Sequence, residues 1–272
     1  DEFLTAICAI RKKAVVDRFF ANYVPRRHQF TDSYKYASIM RLDLKEHFRL
    51  TAFYLKYYDP REEILLGYDP GHFSSVVAAQ ERKQGTELRI LKEFTCYYPS
   101  QQPELAAAIH EFFGSDAKNK RIRLYYDRAG NKKKEDYEQI TTDARLLKRE
   151  LESYGFSVEL MNEGQSTIYY WMQFKLLLLI FGEQSNSFPR VLVDENECPN
   201  LCSSIMLSPR KKTDGRIELD KTSEKKVPIK YQAGLTTQLP SALIYLLHGL
   251  YYERMPSEYS TMPDDLPDNM IL

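Results

Sequence analysis

The sequence has no excess of charge of either sign and contains few cysteines. Its 38 Lys and Arg residues are balanced by 38 Asp and Glu residues in a chain of 272. A balanced chain has no overall attraction to nucleic acid, so any binding to DNA or RNA must depend on local basic patches. The four cysteines are too few and too scattered for a disulfide scaffold, and we expect them to be reduced and packed, as in an intracellular protein.

Long apolar runs are also missing. The longest block, Leu176 to Phe181, is far shorter than the ~20 residues that a membrane-spanning helix needs. No charged and then apolar leader opens the chain, so we expect no signal peptide. The first residue is Asp1 rather than Met, and we expect the chain to be part of a longer protein.

Several catalytic motifs are absent from the sequence. It contains no GxxxxGK[ST] phosphate loop, which argues against ATP hydrolysis by that mechanism, and neither a GxSxG elbow nor an HExxH motif. Four of the histidines (His28, His47, His110 and His248) have no metal-ligand spacing. Catalytic schemes built on these motifs are therefore the weaker candidates.

The pattern of apolar residues predicts an order of elements. Helical spacing indicates a helix over residues 1–23, and a mixed segment over 24–60 is interpreted as a lead-in that packs on the core. Three strands follow, then helix, strand, helix, strand and helix. The predicted bounds are strands 64–68, 73–80, 88–97, 122–127 and 156–160, with helices 103–114, 134–154 and 166–181, the last capped by Ser166 or Thr167 and stopped by Gly182.

Three meandering strands followed by alternating helices and strands are typical of a ribonuclease H-like fold rather than a doubly wound nucleotide-binding fold. We therefore predict an α/β protein with a central mixed sheet, three antiparallel strands and then parallel strands, flanked by helices. The predicted domains are a lead-in over 1–60, a nuclease domain over 61–255 and a flexible acidic tail over 256–272.

Two of the predicted strands end on an aspartate. Asp69 closes the first strand, and Asp127 closes the fourth. If these strands are neighbours, the two carboxylates approach each other and require a cation or solvent to offset their repulsion. Mg²⁺ and Mn²⁺ prefer oxygen ligands, and a pair of such ions activates water and stabilises the leaving oxygen in phosphodiester cleavage. Taken singly, each aspartate is more simply interpreted as an ordinary turn residue, and the metal interpretation rests on the two together within this strand order.

Basic residues follow the second aspartate. Lys132, Lys133 and Lys134 come shortly after Asp127, where they would position a nucleic-acid backbone without reading its sequence. His72, three residues after Asp69, is a candidate contact to a phosphate or a metal, although a turn histidine is the simpler interpretation.

These motifs together resemble the C-terminal nuclease domain of tailed-phage large terminase subunits, over about residues 20–253. The matching stretches are GYDPGHFSS, LYYDRAG, PRVLVDENECPNLCSSI, GRIELDKTSEKK and SALIYLLHGLYYER. The resemblance implies an Mg²⁺- or Mn²⁺-dependent endonuclease that cuts concatemeric double-stranded DNA in the host cytoplasm. It also implies, in the full-length protein, an ATPase domain, a small terminase and a portal as partners.

One part of the family pattern is missing. The family usually has a third metal-binding aspartate at the start of the last helix, and Ser241 stands at about that position here. Asp214, Glu218 and Asp220 lie upstream, and we choose Asp220 as the third ligand because it ends the strand-like GRIELD stretch. Two alternatives stay open: a structure-specific resolvase on the same fold, and a DNA-binding or docking module whose catalytic site has decayed.

Overall fold

In the computed structural model of the protein, the described residues are 17–36, 50–71, 73–99, 101–136, 139–164, 168–213 and 216–257. The strands within them are β1 (Gln29–Phe30), β2 (Ile64–Asp69), β3 (Phe73–Arg82), β4 (Glu87–Tyr97), β5 (Arg121–Tyr126), β6 (Lys133–Asp136), β7 (Gln139–Thr142), β8 (Ser157–Leu160), β9 (Arg190–Asp194), β10 (Arg210–Thr213) and β11 (Arg216–Leu219).

A mixed sheet of seven strands forms the centre of this part of the chain, in the order β1-β9-β4-β3-β2-β5-β8. The strands β2, β3 and β4 pair in antiparallel fashion. The strand β5 pairs parallel to β2, and β8 pairs parallel to β5. On the other side, β9 pairs parallel to β4, and β1 pairs parallel to β9. This arrangement confirms the predicted ribonuclease H-like fold.

Helices cover both faces of the sheet. They are α1 (Pro25–His28), α2 (Gln101–Ile109, continued by a π-helical turn at His110–Gly114), α3 (Asp143–Ser153), α4 (Tyr170–Gly182), α5 (Pro199–Met206), α6 (Thr222–Lys226), α7 (Gln232–Leu235) and α8 (Gln238–Tyr251). One core layer contains side chains of α4, α5 and α8, and the other contains those of α2 and α3. Within the described ranges, no helix combines the length and the apolar character that crossing a bilayer requires.

The central strand β2 is buried along its whole length, as expected for a strand covered on both faces. Gly67 lies against the backbone of α8, because a Cβ atom there would lie 2.1 Å from the carbonyl oxygen of Ala242. The helix backbone therefore rests directly on β2. This contact places the N-terminal half of α8 beside Asp69, two residues further along the strand on the same face.

The predicted helix over residues 1–23 is wrong where the structure describes it. Residues 17–23 are not helical, and residues 1–16 lie outside the described residues. Phe19 and Phe20 are buried, as their apolar character suggests. Their backbone is not hydrogen-bonded within a helix, because the N–H of Phe19 donates to the carbonyl oxygen of Ser208 at 2.9 Å. This tertiary pairing overrides the weak local helical preference.

The predicted helix over 134–154 is a β6–β7 hairpin followed by a shorter helix, α3. Thr142 explains the boundary, because its hydroxyl accepts a hydrogen bond from the N–H of Arg145 at 3.3 Å and caps the helix. The β-branched run Ile140-Thr141-Thr142 favours a strand before that cap.

Helix α4 also begins later than predicted. Its first residue is Tyr170, and the proposed caps Ser166 and Thr167 lie outside the described residues. Gly182 ends it as predicted, but the left-handed residue that follows is Glu183, with φ of 50°. The division at residue 60 stays a prediction, although β1 of the predicted lead-in belongs to the main sheet. Residues 258–272 of the predicted tail lie outside the described residues.

Candidate active site

The two strand-end aspartates lie at the same edge of the sheet. Tyr68 of β2 is the register partner of Tyr126 of β5, and each tyrosine is followed immediately by an aspartate. Because the two strands are parallel and adjacent, Asp69 and Asp127 come together at their carboxyl ends. Their charges interact, since Asp127 contributes to raising the pKa of Asp69.

Asp69 is buried, with 6% of its surface exposed. Burial raises the pKa of its carboxyl group to about 7, the positive charge of Lys221 opposes that rise, and the negative charges of Glu224 and Asp127 add to it. Ionisation of a carboxyl group at this buried position is unfavourable unless a positive charge lies beside it. The environment of Asp69 therefore favours the binding of a cation.

Asp127 is half-buried and held by its own turn. Its Oδ1 atom accepts a hydrogen bond from the N–H of Arg128 at 2.6 Å, and its side chain caps the short 3₁₀ helix Arg128–Asn131. Asp127 is therefore both a turn residue and a candidate site residue. The turn fixes the carboxylate next to Asp69.

Lys221 is a site residue that no motif of the sequence indicates. It is the residue after Asp220, and its Nζ atom lies 3.8 Å from Oε1 of Glu224. Burial would lower the pKa of this ammonium group, but the charges of Asp69, Tyr245 and Glu224 outweigh burial and raise the pKa well above its usual value. Lys221 therefore brings a permanent positive charge to the site.

Glu224 and Tyr245 complete the cluster. Glu224 lies in the first turn of α6, and its Oε1 atom accepts a hydrogen bond from the hydroxyl of Thr237. Tyr245 lies on α8, and burial together with the charge of Asp69 raises the pKa of its phenol well above the usual value. The sequence contained only indirect signals for these residues: Glu224 follows the GRIELD strand, and Tyr245 belongs to the stretch compared with the family's last helix.

The predicted third ligand, Asp220, points into a turn. Its Oδ1 atom accepts hydrogen bonds from the N–H of Thr222 at 3.0 Å and from the hydroxyl of the same residue at 2.5 Å. Those bonds, with the charges of Lys211 and Lys226, outweigh burial and keep its pKa below the usual value. In the part of the chain that the structure describes, no three His, Cys, Asp or Glu side chains form a group able to hold a metal ion.

Two buried serines face the same region. Ser75 of β3 is the register partner of Asp69, so the two side chains share one face of the sheet. Ser241, which stands where the family has an aspartate, lies one helical turn before Tyr245. Neither hydroxyl has a hydrogen-bond partner among the described residues. Buried polar groups normally have one, so both hydroxyls are suited to a water molecule or a ligand.

The predicted DNA contacts are only partly visible. Lys132 is exposed directly after the 3₁₀ helix that Asp127 caps, which places it on the solvent side of the site. Lys133 and Lys134 belong to β6, but their side chains lie outside the described residues, as does His72. Their contact with DNA stays a prediction.

Comparison with known proteins gives only structural similarities. No family model matches the chain. No curated protein matches it. The chain is similar to the large terminase of a thermophilic bacteriophage in complex with ADP, with a TM-score of 0.49 and 9% identity over 85% of this chain and 44% of that one. The chain thus spans less than half the length of that protein.

Two isolated nuclease domains are also similar. The large terminase nuclease of the thermophilic phage G20c with bound cobalt has a TM-score of 0.46 and 11% identity, with coverage of 88% of this chain and 97% of that one. The P22 large terminase nuclease domain has a TM-score of 0.46 and 11% identity, with coverage of 89% and 94%. These structures belong to the class of proteins that the sequence motifs resemble.

Proposed function

We propose that this chain is the nuclease domain of a DNA-packaging terminase and that it hydrolyses phosphodiester bonds in double-stranded DNA. The observation that carries the proposal is the meeting of Asp69 and Asp127 at the ends of two adjacent parallel strands. The resemblance of the sequence motifs supplies the biological setting. In that setting the chain acts in the host cytoplasm with an ATPase domain, a small terminase and a portal.

The donor chemistry at this edge of the sheet fits Mg²⁺ or Mn²⁺. Two carboxylates converge there, one of them destabilised as an anion by burial, and two buried hydroxyls have no partner among the described residues. Asp69 and Asp127 would hold the ion, which when bound supplies an activated water and stabilises the leaving oxygen. As the predicted third ligand, Asp220 would have to release Thr222. Glu224, whose charge already acts on Asp69, is a second candidate.

The remaining side chains have positioning and electrostatic roles in this proposal. The Arg128 N–H orients the Asp127 carboxylate. Tyr245 is positioned by α8 against Asp69, and a hydrogen bond from its phenol favours the anionic carboxylate. Lys221 limits the repulsion among Asp69, Asp127 and Glu224. Lys132, Lys133, Lys134 and His72 would hold the DNA backbone.

Nicking of supercoiled plasmid in millimolar Mn²⁺ tests the proposal. We expect Asp69→Asn and Asp127→Asn each to abolish nicking while circular dichroism shows an intact fold. Asp32→Asn is the matched control, because Asp32 is an exposed aspartate paired with Lys56 away from the site. Full cleavage by both site variants would refute the assignment of these aspartates.

A second function, DNA binding without cleavage, is favoured by one specific observation. Among the described residues, no three His, Cys, Asp or Glu side chains are arranged to hold a metal ion, and Lys221 stands beside the buried Asp69. Wild-type protein that binds DNA in a salt-sensitive manner but does not nick it, even in millimolar Mn²⁺, would support this function over hydrolysis.

A further inference from the structure

A cavity lies next to Asp127, between the beginning of α4 and the strand β11. Its volume is about 140 Å³, and its walls include Tyr169, Tyr170, Trp171 and Arg216. An apolar protein cavity of roughly 150 Å³ is known to bind one benzene molecule. The space beside Asp127 is therefore large enough for a single planar ring.

Aromatic residues dominate the α4 side of this cavity. Tyr169 is 57% exposed, an unusual position for a large aromatic side chain that lines a cavity. Trp171 is half-buried, and the Nζ atom of Lys175 lies 5.0 Å from the centroid of its ring. Exposed tyrosine and tryptophan rings are the usual platforms on which proteins stack the bases of single-stranded nucleic acids.

Gln173 adds a polar group to the same wall. Its side chain is buried, with 2% of the residue exposed, and its Nε2 atom donates to the carbonyl oxygen of Ile168 at 3.3 Å. Its Oε1 atom accepts no hydrogen bond from any residue that the structure describes. A buried acceptor without a donor is unfavourable, so this atom is suited to a donor on a ligand. Flipped bases are recognised in this manner, through the hydrogen-bonding groups of their Watson–Crick edge.

We propose that this cavity binds one unstacked nucleobase of the DNA substrate, with the ring against Tyr169 and Trp171 and an N–H of the base donated to Gln173. The inference rests on the proposed function, which places a phosphate of the same strand at Asp69 and Asp127. A base must leave its stack to enter, and this is least costly where the DNA is already single-stranded or mismatched. The substrate class is therefore DNA with an unpaired nucleotide beside the cut.

Trp171 is the only tryptophan of the chain, so its fluorescence reports on this cavity alone. The protein is titrated in EDTA, without cleavage, with a labelled single-stranded oligonucleotide and with a fully abasic oligonucleotide of the same length. Anisotropy of the label measures binding, and tryptophan emission measures stacking. We expect saturable quenching by the normal oligonucleotide and binding without quenching by the abasic one.

Two variants test the residues separately. We expect Tyr169→Ala to weaken binding of the normal oligonucleotide by about 5- to 150-fold, the range for loss of one stacked base. We expect Gln173→Leu to weaken it by about 2- to 12-fold, the range for loss of one hydrogen bond, and both variants to bind the abasic oligonucleotide as the wild type does. Tyr231→Ala is the control, because Tyr231 is an exposed tyrosine outside the cavity. We expect it to bind both oligonucleotides as the wild type does.

The outcomes separate this proposal from the proposed function. Equal quenching by both oligonucleotides, or binding of the normal one without quenching, would overturn the base-binding cavity even if the wild type nicks plasmid. Base-dependent quenching retained by Asp69→Asn would support the cavity whether or not the wild type is a nuclease. Failure of the protein to bind either oligonucleotide would overturn the base-binding cavity, and plasmid nicking by the same preparation would still support the proposed function.

Discussion

Tyr68 and Tyr126 are register partners on two parallel strands, and this pairing brings the next residue of each strand to one point. Both tyrosines are buried. Their burial locks the alignment of β2 and β5, because a shift by one residue would reverse every side chain between the two faces of the sheet. The approach of Asp69 to Asp127 is thus a consequence of sheet packing.

Binding of a divalent cation is expected to stabilise the protein through these aspartates. A ligand that binds only the folded state raises the unfolding temperature as its concentration increases. We expect Mn²⁺ to raise the melting temperature of the wild type, and to have little effect on Asp69→Asn or Asp127→Asn. Differential scanning fluorimetry across a Mn²⁺ series measures this, with Asp32→Asn as the control. An equal shift in all four proteins would place the ion elsewhere.

The stability of the metal-free protein is expected to depend on pH through Asp69. Its pKa is about 7 in the folded protein against 3.8 ordinarily, so the folded state holds a proton that the unfolded state loses in that interval. The contribution of this proton to the free energy of unfolding is fully present below pH 4 and is lost as the pH rises through 7. Asp69→Asn removes the effect, so its stability relative to wild type should grow by about 2–4 kcal/mol from pH 4 to pH 8. Urea unfolding in EDTA at both pH values measures it, and a constant difference would show that Asp69 titrates normally.

The stability of the protein is expected to fall at low pH through His248, which is the opposite of the effect of Asp69. Burial lowers the pKa of its imidazole to about 4 from 6.5, so the unfolded state binds the additional proton in that interval. This contribution to stability is complete above pH 6.5 and is lost as the pH falls towards 4, by about 2–3 kcal/mol. His248→Phe, which keeps a ring against Tyr252, should lose less stability than the wild type between pH 7 and pH 4. Identical acid sensitivity of the two proteins in urea unfolding would contradict this.

Lys221 is expected to compete with a bound cation. Its positive charge stabilises the Asp69 carboxylate in the metal-free protein, and the same charge repels a divalent ion. Lys221→Met should therefore melt at a lower temperature than the wild type in EDTA at pH 8 but show a larger upward shift at a given Mn²⁺ concentration. Lys83→Met is the control, because Lys83 is an exposed lysine that pairs with Glu87 at the turn between β3 and β4. A smaller Mn²⁺ shift in Lys221→Met than in the wild type would show that Lys221 assists metal binding.

Gly67→Ala is expected to be strongly destabilising. The added methyl group would lie 2.1 Å from the backbone oxygen of Ala242, so β2 and α8 must move apart. Overpacking of a rigid core costs about 1–3 kcal/mol, and the contact here is with backbone, which places the expected loss at the upper end. Gly71→Ala is the control, since its methyl group would make only an ordinary 3.6 Å contact. Equal urea midpoints for the two variants would show that α8 does not rest on Gly67.

Much of the sheet was predictable because its strands follow simple local rules. The run Ile64–Tyr68, the Pro70-Gly71 break and the next run of β-formers predict an antiparallel pair, and the structure confirms it. The 134–154 segment was not predictable as a single element, because the capping Thr142 and the β-branched residues before it compete with a helical pattern of similar strength. Residues 17–23 are determined by a backbone partner almost 190 positions away in the chain, which no local pattern records.

The sequence alone determined the order of the central strands β2, β3, β4, β5 and β8 and the two strand-end aspartates, because strand and turn signals are local. It did not determine the surroundings of those aspartates. Only the tertiary structure decided that Lys221, Glu224 and Tyr245 lie around Asp69 and that Asp220 bonds to Thr222. It also decided that Gln173 lines a cavity next to Asp127. These relationships depend on how α8, α6 and α4 pack on the sheet, and packing brings together residues that are far apart in the chain.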